Sequence, residues 1–358
     1  MNRQAAEAGS GASDASIIAG DMSRQIDCAA RRLADGGLVA FPTETVYGLG
    51  ADAENPDAVA RIYQAKGRPS SHPIIVHVAP EADLAYWARR IPDQAQRLVE
   101  AFWPGPLTLI LPRAENISAA VSGGQDSIGL RCPSHPVAQE LLRRFAVLKG
   151  GQGGVAAPSA NKFGQVSPTR AVHVRDEFPE LAEEALLVLE GGPADVGIES
   201  TIVDVSRLDE GVGPVLLRPG HISVEELARV LGVVPARPDT GAPRVSGSLK
   251  AHYAPRTPLI LVPRLKLADV LEAEGAGNRR LVLAGFPPPP AGLEAGPAQP
   301  AWHACPTDPV VYASRLYAML RELDAGAYDC IVIEQPPQTA AWQAVNDRLG
   351  RAAAAFSG

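Results

Sequence analysis

At 358 residues with 46% hydrophobic side chains, the chain is long enough for two ordinary domains, each with its own core. A net charge of −7 argues against a protein that coats a nucleic-acid backbone, since Lys and Arg carry that binding, and leaves room only for a local basic pocket. Cys28, Cys132, Cys305 and Cys330 show no Cys-x-x-Cys spacing and no His at metal-ligand spacing, which gives a zinc site or disulfide framework little support and favours reduced thiols.

The first twenty residues hold no apolar signal-peptide core, and no run reaches the ~18 apolar residues that span a bilayer, so the expectation is a cytoplasmic protein with a disordered segment 1–20 and no membrane partner. From there, short aliphatic runs recur: "GLVAF" 37–41, "PIIVHV" 73–78, "LTLIL" 107–111, "IGLRC" 128–132, "STIVDV" 200–205 and "VLLRPG" 215–220. Helical period or composition fills 56–66, 80–102, 136–145 and 223–231 between them. The alternation predicts an α/β domain with a mixed sheet over 21–235. Residues 236–258, dense in Pro, Gly and Ser, read as a linker. Runs at 259–262, 281–286 and 329–335, with a helical pattern at 308–326, predict a smaller Rossmann-like α/β domain over 259–358. The proline-rich stretch 287–301 reads as a surface loop.

Polar clusters stand at several strand ends, where open α/β sheets place ligands. "PTETVYGL" 42–49 fits either a turn satisfied by Thr and Glu or a ligand pocket. In "KGRPSSHPIIVHV" 66–78, Lys66 and Arg68 point the same way if the segment is extended, which suits a solvated face or a phosphate clamp. "GGVAAPSANKFGQVSPT" 153–169 combines small residues with Ser159, Asn161, Ser167 and Thr169, and suits a nucleotide's phosphates or sugar, although no Walker A loop or Gly-x-Gly-x-x-Gly is present. Arg131, Ser200, Thr201 and Arg218 also fall at strand ends, and their convergence on one anion is more plausible than any one alone. No Ser-His-Asp, Cys-His or paired-carboxylate signature supports covalent catalysis.

Taken in order, "PTETVYGLGADA", "KGRP…HPIIVHV", "WPGPLTLIL", "GLRCPSHP", "APSAN…SPT", "GIESTIVDV", "LLRPG" and "HYAPRTP" resemble the blocks of the threonylcarbamoyl-AMP synthase family in its long form. That form has a YrdC-like catalytic domain with a twisted mixed sheet and flanking helices, a linker, and a C-terminal Rossmann-like domain. "AVNDRLGRAA" 344–353 is similar to its closing helix. The resemblance implies a nucleotidyltransferase that makes threonylcarbamoyl-AMP and pyrophosphate from L-threonine, bicarbonate and ATP, with Mg²⁺ on the ATP. It implies a downstream threonylcarbamoyl transferase complex acting on tRNA (the t6A modification) as the consumer of the product. Carried over by position, Thr45, His77, Arg131, backbone at Ala157, and Ser200 belong to threonine. Lys66 and Arg68 are the catalytic cations; with His72, Ser127, Ser159, Asn161, Ser167, Arg218 and Tyr253 they belong to ATP. His72 departs from the family's usual Asn, and "SGSLKAHYAP" departs from its linker while keeping His252 and Tyr253. The competing reading is a YrdC-type RNA-binding module without synthase activity, which the overall acidity disfavours.

Overall fold

The structure, a computed structural model, describes residues 20–182, 184–275, 279–290 and 300–357. Of the segment expected to be disordered, residues 1–19 lie outside the described residues, and Gly20 opens the first helix.

α1 (Gly20–Ala34) leads into β1 (Leu38–Phe41), buried at every position, and β2 (Gly48–Asp52). α2 (Pro56–Lys66) has sharp ends for local reasons: the Asn55 side chain accepts from the Asp57 and Ala58 N–H groups, proline occupies the first turn, and Gly67 closes the helix at φ 61°. β3 (Ile75–His77) follows. The single helical stretch expected over 80–102 is two helices, α3 (Leu84–Trp87) and α4 (Asp93–Phe102). Ala88 is extended, and Pro92, at the N-cap of α4, disfavours helix in the residue before it. β4 (Leu107–Pro112), β5 (Ser127–Arg131), α5 (Pro136–Leu148), the two-residue β6 (Val155–Ala156), α6 (Ala171–Glu177), β7 (Leu186–Val188), β8 (Thr201–Asp204) and β9 (Val215–Arg218) complete the first sheet. α7 (Val224–Leu231) starts on a reciprocal Ser223–Glu226 capping box.

Beyond residues 236–258 come β10 (Leu259–Val262), α8 (Leu267–Gly275), β11 (Leu281–Gly285), β12 (Ala301–Ala304), α9 (Pro309–Ala325), β13 (Cys330–Glu334) and α10 (Gln343–Ala354). Of the loop expected over 287–301, residues 291–299 lie outside the described residues, and Ala301 already belongs to β12.

The first sheet has nine strands in the order β7-β1-β2-β6-β3-β5-β4-β8-β9 and is mixed, with parallel β1/β7, β3/β5 and β4/β8 pairs among antiparallel ones. The second, β10-β13-β11-β12, is wholly parallel, with α8 returning the chain between β10 and β11 and α9 between β12 and β13. The cores do not respect the sequence boundary. Val46, Val166 and Ile198 of the first sheet's loops, and Tyr253 of the linking segment, pack in one apolar cluster with Leu316, Tyr317, Leu320 and Leu349 of α9 and α10. Gly197 permits this docking: at φ 74°, a Cβ there would lie 2.5 Å from Ser314 Cα in α9. The loops that follow β1 and β6 and the one that precedes β8 therefore face the second domain's helices.

Candidate active site

The stretch "PTETV" leaves β1 as a self-satisfied turn. Thr43 Oγ1 accepts from the Thr45 and Val46 N–H groups at 3.2 Å each, donates to Val46 O at 2.6 Å, and stands 2.9 Å from Thr45 Oγ1. Both the turn and the pocket readings hold together, because the turn is what presents Thr45 to a cleft. That cleft is lined by Thr45, His77, Arg131, Ala157, Ser159, Glu199, Ser200 and Arg218 from the first domain, and by Ser246, His252 and Tyr253 from 236–258. Little of it is open, about 40 Å³, because the linking segment packs into it.

On one wall, the Arg131 guanidinium lies 2.8 Å from the Glu44 carboxylate, both groups buried. Neither Arg131 Nε nor Nη2 has an aligned hydrogen-bond partner, so the pair is a close charge contact with donors left over. His77 sits beside it at the end of β3, edge-on to Phe41, its Nδ1 unpartnered. Burial, and then the Arg131 charge, holds this imidazole at about 3 and therefore neutral.

On the other wall, Arg218 at the end of β9 donates to Ser200 O (2.9 Å) and Ser200 Oγ (3.1 Å), and its Nη1 donates to Ser246 O at 2.8 Å. Ser200 Oγ is also 2.7 Å from Thr108 Oγ1. One arginine thus ties a strand end to the linking segment. His252 and Tyr253 close the top in contact with each other, ring centroids 4.2 Å apart. Burial lowers His252 to about 3, with Lys66, Arg68 and Arg218 adding to it against Glu199. Tyr253 takes φ 62°, a left-handed conformation uncommon for a bulky side chain and held here by its packing.

Lys66 and Arg68 do not share one direction on an extended segment. Lys66 is the last residue of α2, and both side chains are buried, at 3% and 6% exposure. Lys66 Nζ donates to Ser159 O at 2.6 Å and to Asn161 O, and so pins the "PSAN" loop. Burial, then Arg68, lowers its pKa well below the usual lysine value. Arg68 donates to Pro73 O at 2.8 Å and lies over the Phe163 ring. The solvated-face reading is excluded by this burial.

Lys66, Arg68, His72, Asn161 and Ser167 stand behind or beside the cleft wall. Asn161 Nδ2 bonds the carbonyls of Lys162 and Gln165, and His72 packs edge-on to Phe163. Ser127 lines a neighbouring small cavity with Gln125 and Arg244, sharing the wall residues Ile75 and Ser246 with the cleft. Glu44 and Glu199 were missed by sequence reasoning, although each sits inside a quoted motif. The signal for Glu44 is a carboxylate between two threonines at the end of an apolar run, and for Glu199 a carboxylate next to Ser200 and Thr201 at the mouth of one, places where it needs a cation. Among the described residues, no group of three or more His, Cys, Asp or Glu is arranged to hold a metal, and no helix is long and apolar enough to cross a membrane.

A mixed-sheet α/β domain whose strand ends gather arginines and hydroxyls under a linking segment, followed by a parallel α/β domain, defines a two-domain α/β protein with one cationic cleft. The family model described as "Telomere recombination" matches residues 31–220, and that described as "Threonylcarbamoyl-AMP synthase, C-terminal domain" matches 222–354. The Bacillus subtilis threonylcarbamoyl-AMP synthase is 37% identical over 92% of this chain and 93% of its own. The Pyrococcus abyssi threonylcarbamoyl-AMP synthase is 40% identical over 69% of this chain and 71% of its own. The crystal structure of P. abyssi Sua5 in complex with L-threonine is similar at a TM-score of 0.80, with 33% identity, covering 93% of this chain and 95% of that one. The chain belongs to the threonylcarbamoyl-AMP synthase family, in its long two-domain form.

Proposed function

We infer that this enzyme is an L-threonylcarbamoyladenylate synthase, a nucleotidyltransferase that joins L-threonine, bicarbonate and ATP and releases pyrophosphate. The observation that carries the reading is the division of one cleft between a cationic wall with spare donors at Arg131, beside neutral His77 and Thr45, and a second wall of Ser159, Ser200 and Arg218. The P. abyssi protein's complex with L-threonine supports the choice of amino acid.

In this reading Arg131 takes the threonine carboxylate, as a planar fork does best. Neutral His77 adds a hydrogen bond without a second charge next to Arg131. The threonine amine and bicarbonate condense to a carbamate with loss of water. A carbamate is short-lived in water, so a closed site that keeps it beside ATP does much of the catalysis. The carbamate oxygen attacks the α-phosphorus, the bond to the β-phosphate oxygen breaks, and pyrophosphate leaves with the electron pair. Arg218 faces the charge that builds up; Lys66 and Arg68 act through the loop carbonyls they hold and through their field. Mg²⁺ arrives on ATP as part of that substrate. Glu199, the carboxylate on the cleft wall, has both oxygens engaged by protein donors and does not fit as a metal ligand. The product is a mixed anhydride, so the next reaction must be transfer of its threonylcarbamoyl group to a nucleophile, for which tRNA is the proposed acceptor.

The test is to incubate the purified chain with ATP, Mg²⁺, bicarbonate and labelled threonine and to analyse the products by mass spectrometry. Threonylcarbamoyl-AMP with matching pyrophosphate is expected, and its absence under conditions where ATP and threonine both bind would sink the synthase reading.

A further inference from the structure

The carboxylate of Glu199 belongs to the cleft wall, yet two of its three side-chain partners come from the second domain. Glu199 is 7% exposed and directly precedes Ser200. Ser167 Oγ donates to its Oε1 at 2.6 Å. Tyr317 Oη from α9 and Arg348 Nε from α10 each donate to its Oε2 at 2.8 Å. Arg348 Nη2 reaches the Glu199 backbone carbonyl at 3.4 Å, and its Nη1 pairs with Asp347 at 2.6 Å.

Arg348 is fully buried, and its guanidinium lies over the Tyr253 ring, 5.4 Å from the centroid; the Tyr253 and Tyr317 rings are 5.7 Å apart. One buried carboxylate therefore fixes three things together: the Ser167 loop, the ring of the linking segment that closes the cleft, and the backbone of Ser200, on which Arg218 rests. Burial opposes the charge on Glu199, but Arg348, then Arg218 and the Ser167 hydroxyl, outweigh it and hold the carboxyl at about 2. Buried ion pairs are commonly no more stabilising than a well-packed apolar replacement, so stability alone is a weak reason for this one. A fixed geometry at the cleft is the stronger reason.

We propose that Arg348 and Tyr317 are positioning residues of the active site, through which the C-terminal domain holds Glu199, and with it Ser167, Ser200 and Tyr253, in the arrangement that receives the nucleotide. The proposal rests on the synthase reading for its kinetic readout. Neither residue lines the cleft. Both act through Glu199, so the second domain is part of the site and not an appendage.

The test compares the full-length parent with Tyr317→Phe, Arg348→Lys and Arg348→Met, by kinetics, ATP calorimetry and thermal melting. Tyr317→Phe removes one hydroxyl; it should weaken ATP use about tenfold, the scale of one hydrogen bond to a charge, with threonine affinity unchanged. Its melting temperature should stay within about 5 °C, given the size of the chain. Arg348→Met should lose more on the ATP side, and Arg348→Lys should recover part of that loss by restoring the charge. Parental ATP parameters in folded Tyr317→Phe and Arg348→Met would overturn the proposal. So would equal losses for ATP and threonine that track the melting temperature and are not relieved by Lys. If Arg348→Met does not fold, Tyr317→Phe decides alone. If the parent makes no threonylcarbamoyl-AMP, the synthase reading fails separately, and ATP affinity by calorimetry still tells whether these residues position the nucleotide wall.

Discussion

Arg131 and Glu44 are buried within 2.8 Å of each other, so neither can be removed alone without leaving an uncompensated charge. Breaking such a pair costs about 3–5 kcal/mol. Arg131→Ala should therefore lower stability as well as threonine binding, and Glu44→Gln in the same chain should restore much of the stability but none of the threonine affinity. Denaturant midpoints and threonine titrations on the four-member cycle check this; recovery of threonine affinity in the double variant would show that Arg131 does not hold the substrate. The buried histidines give a second prediction. His77 and His252 are held near 3 when folded, mainly by burial, and titrate near 6.5 when unfolded. Between those values the unfolded chain binds protons that the folded chain refuses. Stability is therefore full above about pH 6.5 and falls as pH drops toward 3, by about 2 kcal/mol per histidine at pH 5. His135 and His173 are lowered too and steepen the loss. His252→Asn should remove its own share, read as a flatter dependence of unfolding free energy between pH 8 and 5, and an unchanged slope would contradict the burial assigned to it. Thr45, His77, Arg131, Ala157 and Ser200, assigned by the family resemblance to threonine, and Ser159, Arg218 and Tyr253, assigned by it to ATP, line one cleft. Glu44, Glu199, Tyr317 and Arg348 were not legible in the sequence, because their importance comes from partners far away in sequence.

Elements with strong local signals were read closely from sequence, and those built by tertiary contact were not. α2 and α7 announce themselves by Asn55-Pro56, Gly67 and the Ser223-x-x-Glu226 box. β2, β6, β7 and β12 escape notice: they have two to five residues, and β2, Gly-Leu-Gly-Ala-Asp, has no β-branched side chain. β2 is a strand because β1 and β6 pair with it on both sides, and because a Cβ at Gly50 would lie 2.8 Å from both Phe41 and Val155. The linking segment looked structureless for a similar reason: its order comes from Arg218, Tyr317 and Arg348, and not from its own sequence. Gly247 shows how tightly that order is set. It has φ 77°, and a Cβ there would fall 2.0 Å from the Tyr253 hydroxyl and 3.2 Å from Arg218 Nη1. Gly247→Ala should displace Tyr253 and cut synthase activity by more than about tenfold, with the cooperative melt retained, since the left-handed strain itself costs only about 1–3 kcal/mol. Full activity in this variant would mean that Tyr253 has no part in the closed site.

At the scale of the whole molecule, the cleft is closed by packing that the substrates must displace. Its open volume of about 40 Å³ is well below the few hundred that a nucleotide-sized ligand occupies. We propose that the segment 236–258 swings out to admit ATP and returns before the carbamate is lost to water. Two of its anchors differ in kind. Tyr253 is locked between Tyr317 and Arg348 of the second domain, while Ser246 is held by Arg218 of the first. Between them, residues 248–251 are exposed, including Lys250, a site for trypsin. A protease needs several extended residues around the cleaved bond, so cutting at Lys250 reports how often the segment leaves the cleft. Saturating ATP and threonine together should slow that cut several-fold, and either ligand alone should slow it less, because each substrate adds contacts to the segment once it has returned over the cleft. Tyr253→Ala should make the cut fast with or without ligands and lower the yield of intermediate per ATP consumed. Cleavage that does not change with both ligands present would show that the segment stays put during turnover. The nucleotide would then have to enter beneath it, past Ser127 and Arg244.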